Sequence, residues 1–250
     1  MTVFTPQCYP MRLGRYAFMH RLLTTVRWPF GIALTAWSYM WRTTPMHRRE
    51  RSGSIADHRP PPLADDVERS EIQPPADGVG PLFHRRYGAR IREPAFDAED
   101  LVARISRNLN AVAPTQFAVF QKVVGQDETM RVGDEYVVRM PAPWDGPVRV
   151  VGVGPRSFRF ATLAGHLEAG QIEFRALPAP EGGVRFEIES WARSGDWLSN
   201  LLYHHLRMAK EVQLHMWTSF IERVARVSGG RLTGGIDIDT CRIEDLADEA

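Results

Sequence analysis

Two places in the sequence carry residue types that could do chemistry. The first is ATLAGHLEAGQIEFRA, residues 161–176, which holds His166, Glu168 and Glu173 within one short span. An imidazole beside a carboxylate can work as a general acid–base pair. The structural alternative is a hairpin: Gly165 and Gly170 bracket the connection, where a histidine or glutamate bonds loose backbone groups. The hairpin reading is favoured. Glu173 alternates with Phe174 and shares a side with Arg175, which fits an ion pair on a solvated sheet face better than catalysis.

The second place is His205, at the centre of an apolar helix face. A polar ring there must find a partner or cost about 1–3 kcal/mol. It is either a satisfied core histidine, bonded to a strand residue such as Tyr136 or Gln121, or the group that orients a ligand inside an apolar cavity. His204, Glu211 and His215 do not converge at metal-ligand spacing, so a solvated rim is expected and no metal site. GVGPRS, residues 152–157, lacks the lysine and following helix of a phosphate loop. With no dinucleotide fingerprint and no nucleophile–base pair either, no cofactor is expected. Cys8 and Cys241 stand far apart, which is no disulfide framework and suits a reducing compartment.

These residues need elements to hold them. The chain has 250 residues, 44% hydrophobic and 24% charged, with a formal net charge of +1, as in an ordinary soluble globular protein. The charge is uneven: residues 1–51 carry eight arginines against Glu50, while residues 52–80 carry six acids against Arg59 and Arg69. No basic stripe follows, so nucleic acid is not an expected partner. Residues 1–51 read as a basic, Trp-rich helical extension. Its apolar run is interrupted by Arg27 and Pro29, too short for the roughly 20 residues of a membrane span. It either packs on the main domain or lies at a membrane surface through residues 15–51. Residues 52–80 are proline- and acid-rich and read as a linker or an arm wrapped on a surface.

From residue 81 the pattern is regular. LFHRRYGARIR reads as a strand, and residues 94–114 read as a helix capped by Asp97. Six apolar runs follow at 117–124, 135–140, 147–153, 157–163, 170–177 and 184–191, separated by turn signals at antiparallel-hairpin distances. A long helix over 195–227 ends at Gly229–Gly230, and residues 229–250 read as an acidic flexible tail. Drawn as one helix, 195–227 presents a primary apolar face through Trp197, Leu198, Leu201, Leu202, Met208, Ala209, Val212 and Met216. A second stripe, Leu206, Leu214, Trp217, Ile221 and Val224, looks out of the sheet's reach; a helix over 22–41 is its expected cover.

The order strand, helix, six strands, long helix resembles the helix-grip architecture of START-like proteins, the polyketide-cyclase or SRPBCC-like superfamily. GDEYVVRM, FRFATLAGHLEAGQIEFRA and RFEIESWARSGDWLSNL resemble, more narrowly, the domain-of-unknown-function family nineteen-ninety, of bacteria and plants. The run Gly165, His166, Glu168, Gly170 and Phe174 carries most of that resemblance. Gln171 stands where that family tends to carry an acid, which weakens any role for a required carboxylate there. The resemblance implies an α+β fold, a curved antiparallel sheet of about seven strands wrapping the C-terminal helix around a cavity. It implies no reaction.

The expected domain is therefore 81–228, and the expected function is binding of an apolar small molecule such as a lipid, isoprenoid or polyketide-like compound. Tyr136, Phe158, Phe160, Phe174, Phe186, Trp197 and Leu201 would form the walls, with His205 orienting the ligand. The alternatives are a cyclase or hydrolase with His205 or His166 as base, and a membrane-associated structural protein with a filled core. A cytoplasmic location follows, with a peripheral position on the inner membrane face as its variant.

Overall fold

The computed structural model describes residues 44–116, 118–126, 129–140, 145–180, 182–195 and 208–244. The strands are β1 Met46–Ser52, β2 Val79–Arg92, β3 Val119–Val124, β4 Glu135–Arg139, β5 Asp145–Gly154, β6 Ser157–Thr162, β7 Glu168–Pro178, β8 Val184–Ser194 and β9 Arg231–Ile243. The helices are α1 Ala98–Arg107 and α2 Met208–Val227. The strands form one sheet in the order β1-β9-β2-β8-β7-β6-β5-β4-β3. All neighbours are antiparallel except the edge pair β1–β9. The fold is α+β, with nine described strands where about seven were expected.

The two additional strands come from segments that composition misassigned. Residues 231–243 are not a flexible tail. Ile236, Ile238 and Thr240 alternate with Asp237, Asp239 and Cys241, a period of two that sets the isoleucines against the core. Asp237 and Asp239 lie on the other face, and residues 245–250 lie outside the described residues. Residues 46–52, at the end of the expected helical extension, form β1 at the sheet edge. Its charged, exposed residues (RRER) discourage further strand pairing. Residues 1–43 lie outside the described residues.

Helix α1 starts where Asp97 accepts a hydrogen bond from Asp100 N at 2.9 Å. It ends earlier than expected, at Asn108, and a 3-10 turn over Leu109–Ala111 follows. Leu101, Val102 and Ile105 turn into the core.

Helix α2 corrects the helical-wheel expectation. Leu214, Trp217, Ile221 and Val224, the stripe thought to be beyond the sheet, are buried in the main core. Phe220 joins them, while Met216 of the expected primary face is only half-buried. The wheel centred on residues 197–202 misplaced the contact face of the segment that follows. Leu206 of that stripe and residues 22–41, its expected cover, lie outside the described residues.

The outer face of the sheet is also not simply wet. Residues 53–78 form no strand and no α-helix, as their prolines dictate, yet they lie along it. Ile72 bridges Leu163, Gln73 N donates to Thr162 O at 2.8 Å and Ala164 N donates to Glu71 O at 2.7 Å. Arg149 reaches Glu68 O and Ser70 O at 2.9 and 2.7 Å. Val67 is buried against Val151 and Ala161, and Ile55 packs on a second small core of Leu82, Trp191, Cys241 and Ile243. This arm therefore hides part of the face that alternation alone assigned to solvent.

Candidate functional site

The inner face, covered by α2, has two differently filled ends. At one, the expected wall residues pack on each other. Phe158 stacks on Phe174 with centroids 4.9 Å apart, and Tyr136 meets Phe160 edge-on at 5.6 Å. From α2, Phe220 packs on Phe174 at 5.2 Å and on Phe186 at 6.2 Å, and Trp217 meets Phe174 at 5.6 Å. All five described wall residues are buried. Trp197, Leu201 and His205 lie outside the described residues.

The other end is polar. Alternation along β2 puts Arg85 in phase with the apolar Tyr87, Ala89 and Ile91, so its guanidinium enters the inner face, where it is 2% exposed. It stacks over the Phe83 ring at 4.5 Å and donates to Gln213 Oε1 at 3.1 Å. Gln213 stands one turn before Trp217 on the same stripe of α2. Its Nε2 donates to both carboxylate oxygens of Glu168 at 3.2 Å. Arg85, Gln213 and Glu168 thus form one chain of contacts between β2, α2 and β7. Ser190 is opposite both Arg85 and Ile172 in register, so it shares this face. It is 3% exposed, and its Oγ has no hydrogen-bond partner among the described residues. Phe83 beside Arg85, Ile172 opposite Ser190 and Met216 of α2 are half-buried.

Burial pushes the Glu168 carboxyl pKa up; the Arg85 charge and the Gln213 hydrogen bond pull it back only in part. Glu168 keeps some exposed surface, but its carboxyl end is desolvated. An arginine and a carboxyl group held this way cost desolvation energy that pure packing would avoid.

His166 does not join this chain. Its Nδ1 lies 2.9 Å from Glu168 N, which donates to it, and 3.0 Å from Glu168 O. Imidazole and carboxylate of the His–x–Glu run are therefore separately engaged: the ring braces the turn, and the carboxylate faces α2. Burial lowers the His166 pKa to about 4, which leaves the ring neutral. A Cβ at Gly146 would sit 2.9 Å from Nε2, so that glycine makes room for the ring. Glu173 pairs in register with Arg159, and Arg175 turns instead to Glu187 and Glu189, at 2.7 and 2.6 Å.

A second ionisable cluster lies on the outer face. His84 Nε2 is 2.7 Å from Glu189 Oε1, which also accepts from Arg86 at 2.7 Å. His84 Nδ1 meets His58 Nδ1 of the arm at 2.8 Å, and its ring stacks on Trp191 at 5.1 Å. Burial works against the Glu189 charge, yet hydrogen bonds from His84 and Arg86 and the charge of Arg175 hold its pKa at about 2. A Cβ at Gly53 would collide with Cys241 Sγ and the His58 ring, so the arm is closely seated here. Among the described residues no group of histidine, cysteine and acids could hold a metal ion. An open depression of about 390 Å³, lined by Arg90, Arg92, Arg185 and Asp237, lies away from both clusters.

Arg85, Gln213 and Ser190 were not singled out from sequence. The available signal was an arginine on the apolar phase of β2 and a glutamine four residues before Trp217 on the buried stripe of α2.

With this geometry in place, the class is a single-sheet α+β domain with a helix across its inner face. The chain belongs to the family described as Domain of unknown function (DUF1990), which matches residues 83–223. No curated protein matches it. Among solved structures, the di-domain ARO/CYC StfQ from the steffimycin biosynthetic pathway aligns with TM-score 0.46 and 7% identity, over 62% of this chain and 52% of that one. This chain thus spans about half the length of that protein. Norcoclaurine synthase from Thalictrum flavum aligns with TM-score 0.42 and 9% identity over 60% of this chain and 95% of its own. KanY protein aligns with TM-score 0.43 and 11% identity over 61% and 99%. Likenesses this distant carry nothing about activity.

Proposed function

We propose that the chain binds an apolar small molecule between the inner face of the sheet and the C-terminal helix, at the polar end of that face. The observation behind this reading is the Arg85–Gln213–Glu168 chain, with half-buried Phe83, Ile172 and Met216 on the same elements. Apolar walls with a few convergent polar groups are the usual make-up of a ligand site. In this reading Ile172, Phe83 and Met216 touch the ligand. Phe158, Phe174 and Phe186 stand behind it as packed core. Trp197, Leu201 and His205 are proposed to complete the walls, and lipids, isoprenoids and polyketide-like compounds are the ligand classes to test. Native mass spectrometry of freshly purified protein, with extraction of bound compounds, should show an added small-molecule mass. Absence of bound mass, together with no thermal stabilisation by apolar compounds of these classes, would sink the reading.

A second reading is acid–base catalysis at the same place. It is favoured by one observation: Glu168, with its raised pKa beside Arg85, has the environment of a general acid. His166 is a weaker base candidate, because its Nδ1 is engaged with the Glu168 backbone. Turnover of a bound compound that Glu168→Gln abolishes while binding persists would establish this second reading. Contact of residues 15–51 with a membrane surface is a separate proposal, tested by fractionation of the full chain. Among the described residues no helix is long and apolar enough to cross a membrane.

A further inference from the structure

The outer face of the sheet carries a row of residues that the binding site does not use. Arg51 of β1, Cys241 of β9, His84 of β2, Trp191 of β8 and Gln171 of β7 are successive partners in register. The arm meets this face in two parts. Along residues 61–73, Gln171 Nε2 donates to Pro61 O at 3.3 Å, Arg149 reaches Glu68 O and Ser70 O, and Gln73 N donates to Thr162 O. Along residues 53–58, Gly53 N donates to Arg242 O at 3.1 Å, Ile55 packs on the small core, and His58 Nδ1 lies 2.8 Å from His84 Nδ1. His58 and Cys241 are both buried, and a Cβ at Gly53 would clash with Cys241 Sγ, so this part of the arm roofs the thiol.

The two imidazoles limit the charge this contact can hold. The Glu189 carboxylate is ionised and only accepts, so His84 Nε2 donates to it at 2.7 Å. A neutral His84 then has a bare Nδ1, which accepts from His58 Nδ1–H. A cationic His84 has an Nδ1–H, which donates to a neutral His58. Either way one proton lies between the rings, and the pair carries at most one positive charge. A second charge sets N–H against N–H, with Arg51 and Arg86 as further like charges nearby. The acids facing the pair are Asp57 of the arm and Glu189, which Arg86 and Arg175 already share. We propose that the His58–His84 pair is an acid-sensitive latch: uptake of a second proton releases residues 53–58 and uncovers Cys241, while residues 61–73 stay seated. Burial, His84 and Arg51 hold the His58 pKa below its ordinary 6.5, and Asp57 offsets them only in part. The closed arm is therefore fully favoured above 6.5 and loses ground as pH falls below it.

The test uses the full chain with Cys8→Ser, which leaves Cys241 as its single thiol. The probe is dithiodipyridine, a disulfide that reacts with thiols in mild acid. Each labelling rate is divided by that of the urea-unfolded chain at the same pH. From about pH 7.5 to about pH 5 the corrected rate should rise about ten-fold or more, with circular dichroism unchanged. His58→Gln has an amide that can bond His84 Nδ1 in either state and does not titrate, so its corrected rate should stay level to within about two-fold. Hydrogen exchange read by mass spectrometry, corrected for its intrinsic pH dependence, should loosen residues 53–58 over the same window and leave 61–73 unchanged. That measurement carries the test if the glutamine variant does not fold. A corrected rate that ignores pH, a glutamine variant that keeps the parent's pH response, or loosening of both parts of the arm together would each overturn the latch.

Discussion

The two ends of the inner face are built from the same sheet and the same helix, yet they are filled by opposite rules. Toward the C-terminal end of α2, Phe220 packs on Phe174 and Phe186, and these side chains, with Ile221 and Val224 of the same core, are almost entirely buried. Toward its N-terminal end, Gln213 meets Arg85 and Glu168, and the apolar neighbours keep part of their surface. The first arrangement is that of a core and the second that of a site. A similar contrast runs through the sheet. Glu168 on the inner face and Glu189 on the outer face are both desolvated. Glu168 has one glutamine on its carboxylate, whereas Glu189 has His84, Arg86 and Arg175. Burial wins at Glu168 and raises its pKa; the partners win at Glu189 and hold it at about 2.

The sharpest test of the first contrast is truncation. Phe220→Ala at the packed end should cost about 3–5 kcal/mol in denaturant unfolding. Ile172→Ala at the polar end should cost well under half of that and should change ligand retention instead. Equal costs with no effect on binding would mean that both ends are simply core.

The second contrast predicts opposite responses to pH. Glu189 has a folded pKa below its ordinary 4.5, so its contribution is present above 4.5 and is lost as pH falls toward about 2. A shift of that size corresponds to stability on the order of 3 kcal/mol. Thermal melts of Glu189→Gln should therefore lose most of the acid dependence over that window. Glu168 has a raised folded pKa, so its contribution is present below 4.5 and is lost as pH rises through the raised value. Glu168→Gln should accordingly melt higher than the parent protein at neutral and alkaline pH, and the gap should close in acid. If the gap widened in acid instead, the assignment of burial as the dominant influence on Glu168 would be wrong.

The smallest expected effect concerns the arm. His58→Ala removes the hydrogen bond to His84 and should cost about 1 kcal/mol. It should also speed proteolytic cleavage within residues 53–78 relative to the strands. Unchanged cleavage would show that His58 contributes little to holding the arm in place.

Much of the fold was legible in the sequence, because local alternation and turn residues encode strands directly. β3 to β8 fall within a few residues of the apolar runs, and Asp97 caps α1 as its type and position predicted. β9 was missed although its Ile–Asp alternation is as plain as that of β8. Acid content was read as composition rather than as period. The face of α2 was misassigned for a different reason: amphipathic stripes give angles, not partners, and only the sheet decides which stripe it meets.

The candidate site was less legible still. His166 and Glu168 could be picked out as neighbours in sequence, but two residues of separation do not say where a carboxylate points. By itself the sequence determined the alternating strands, their turns, the capped helix and the irregular arm, since each follows from propensities acting over a few residues. Tertiary structure alone decided that Arg85, Gln213, Glu168 and Ser190 share one surface. They come from β2, α2, β7 and β8, and only long-range pairing brings those elements together. The same pairing set the balance of burial and charge that separates Glu168 from Glu189, because desolvation and partner geometry exist only once the sheet has formed.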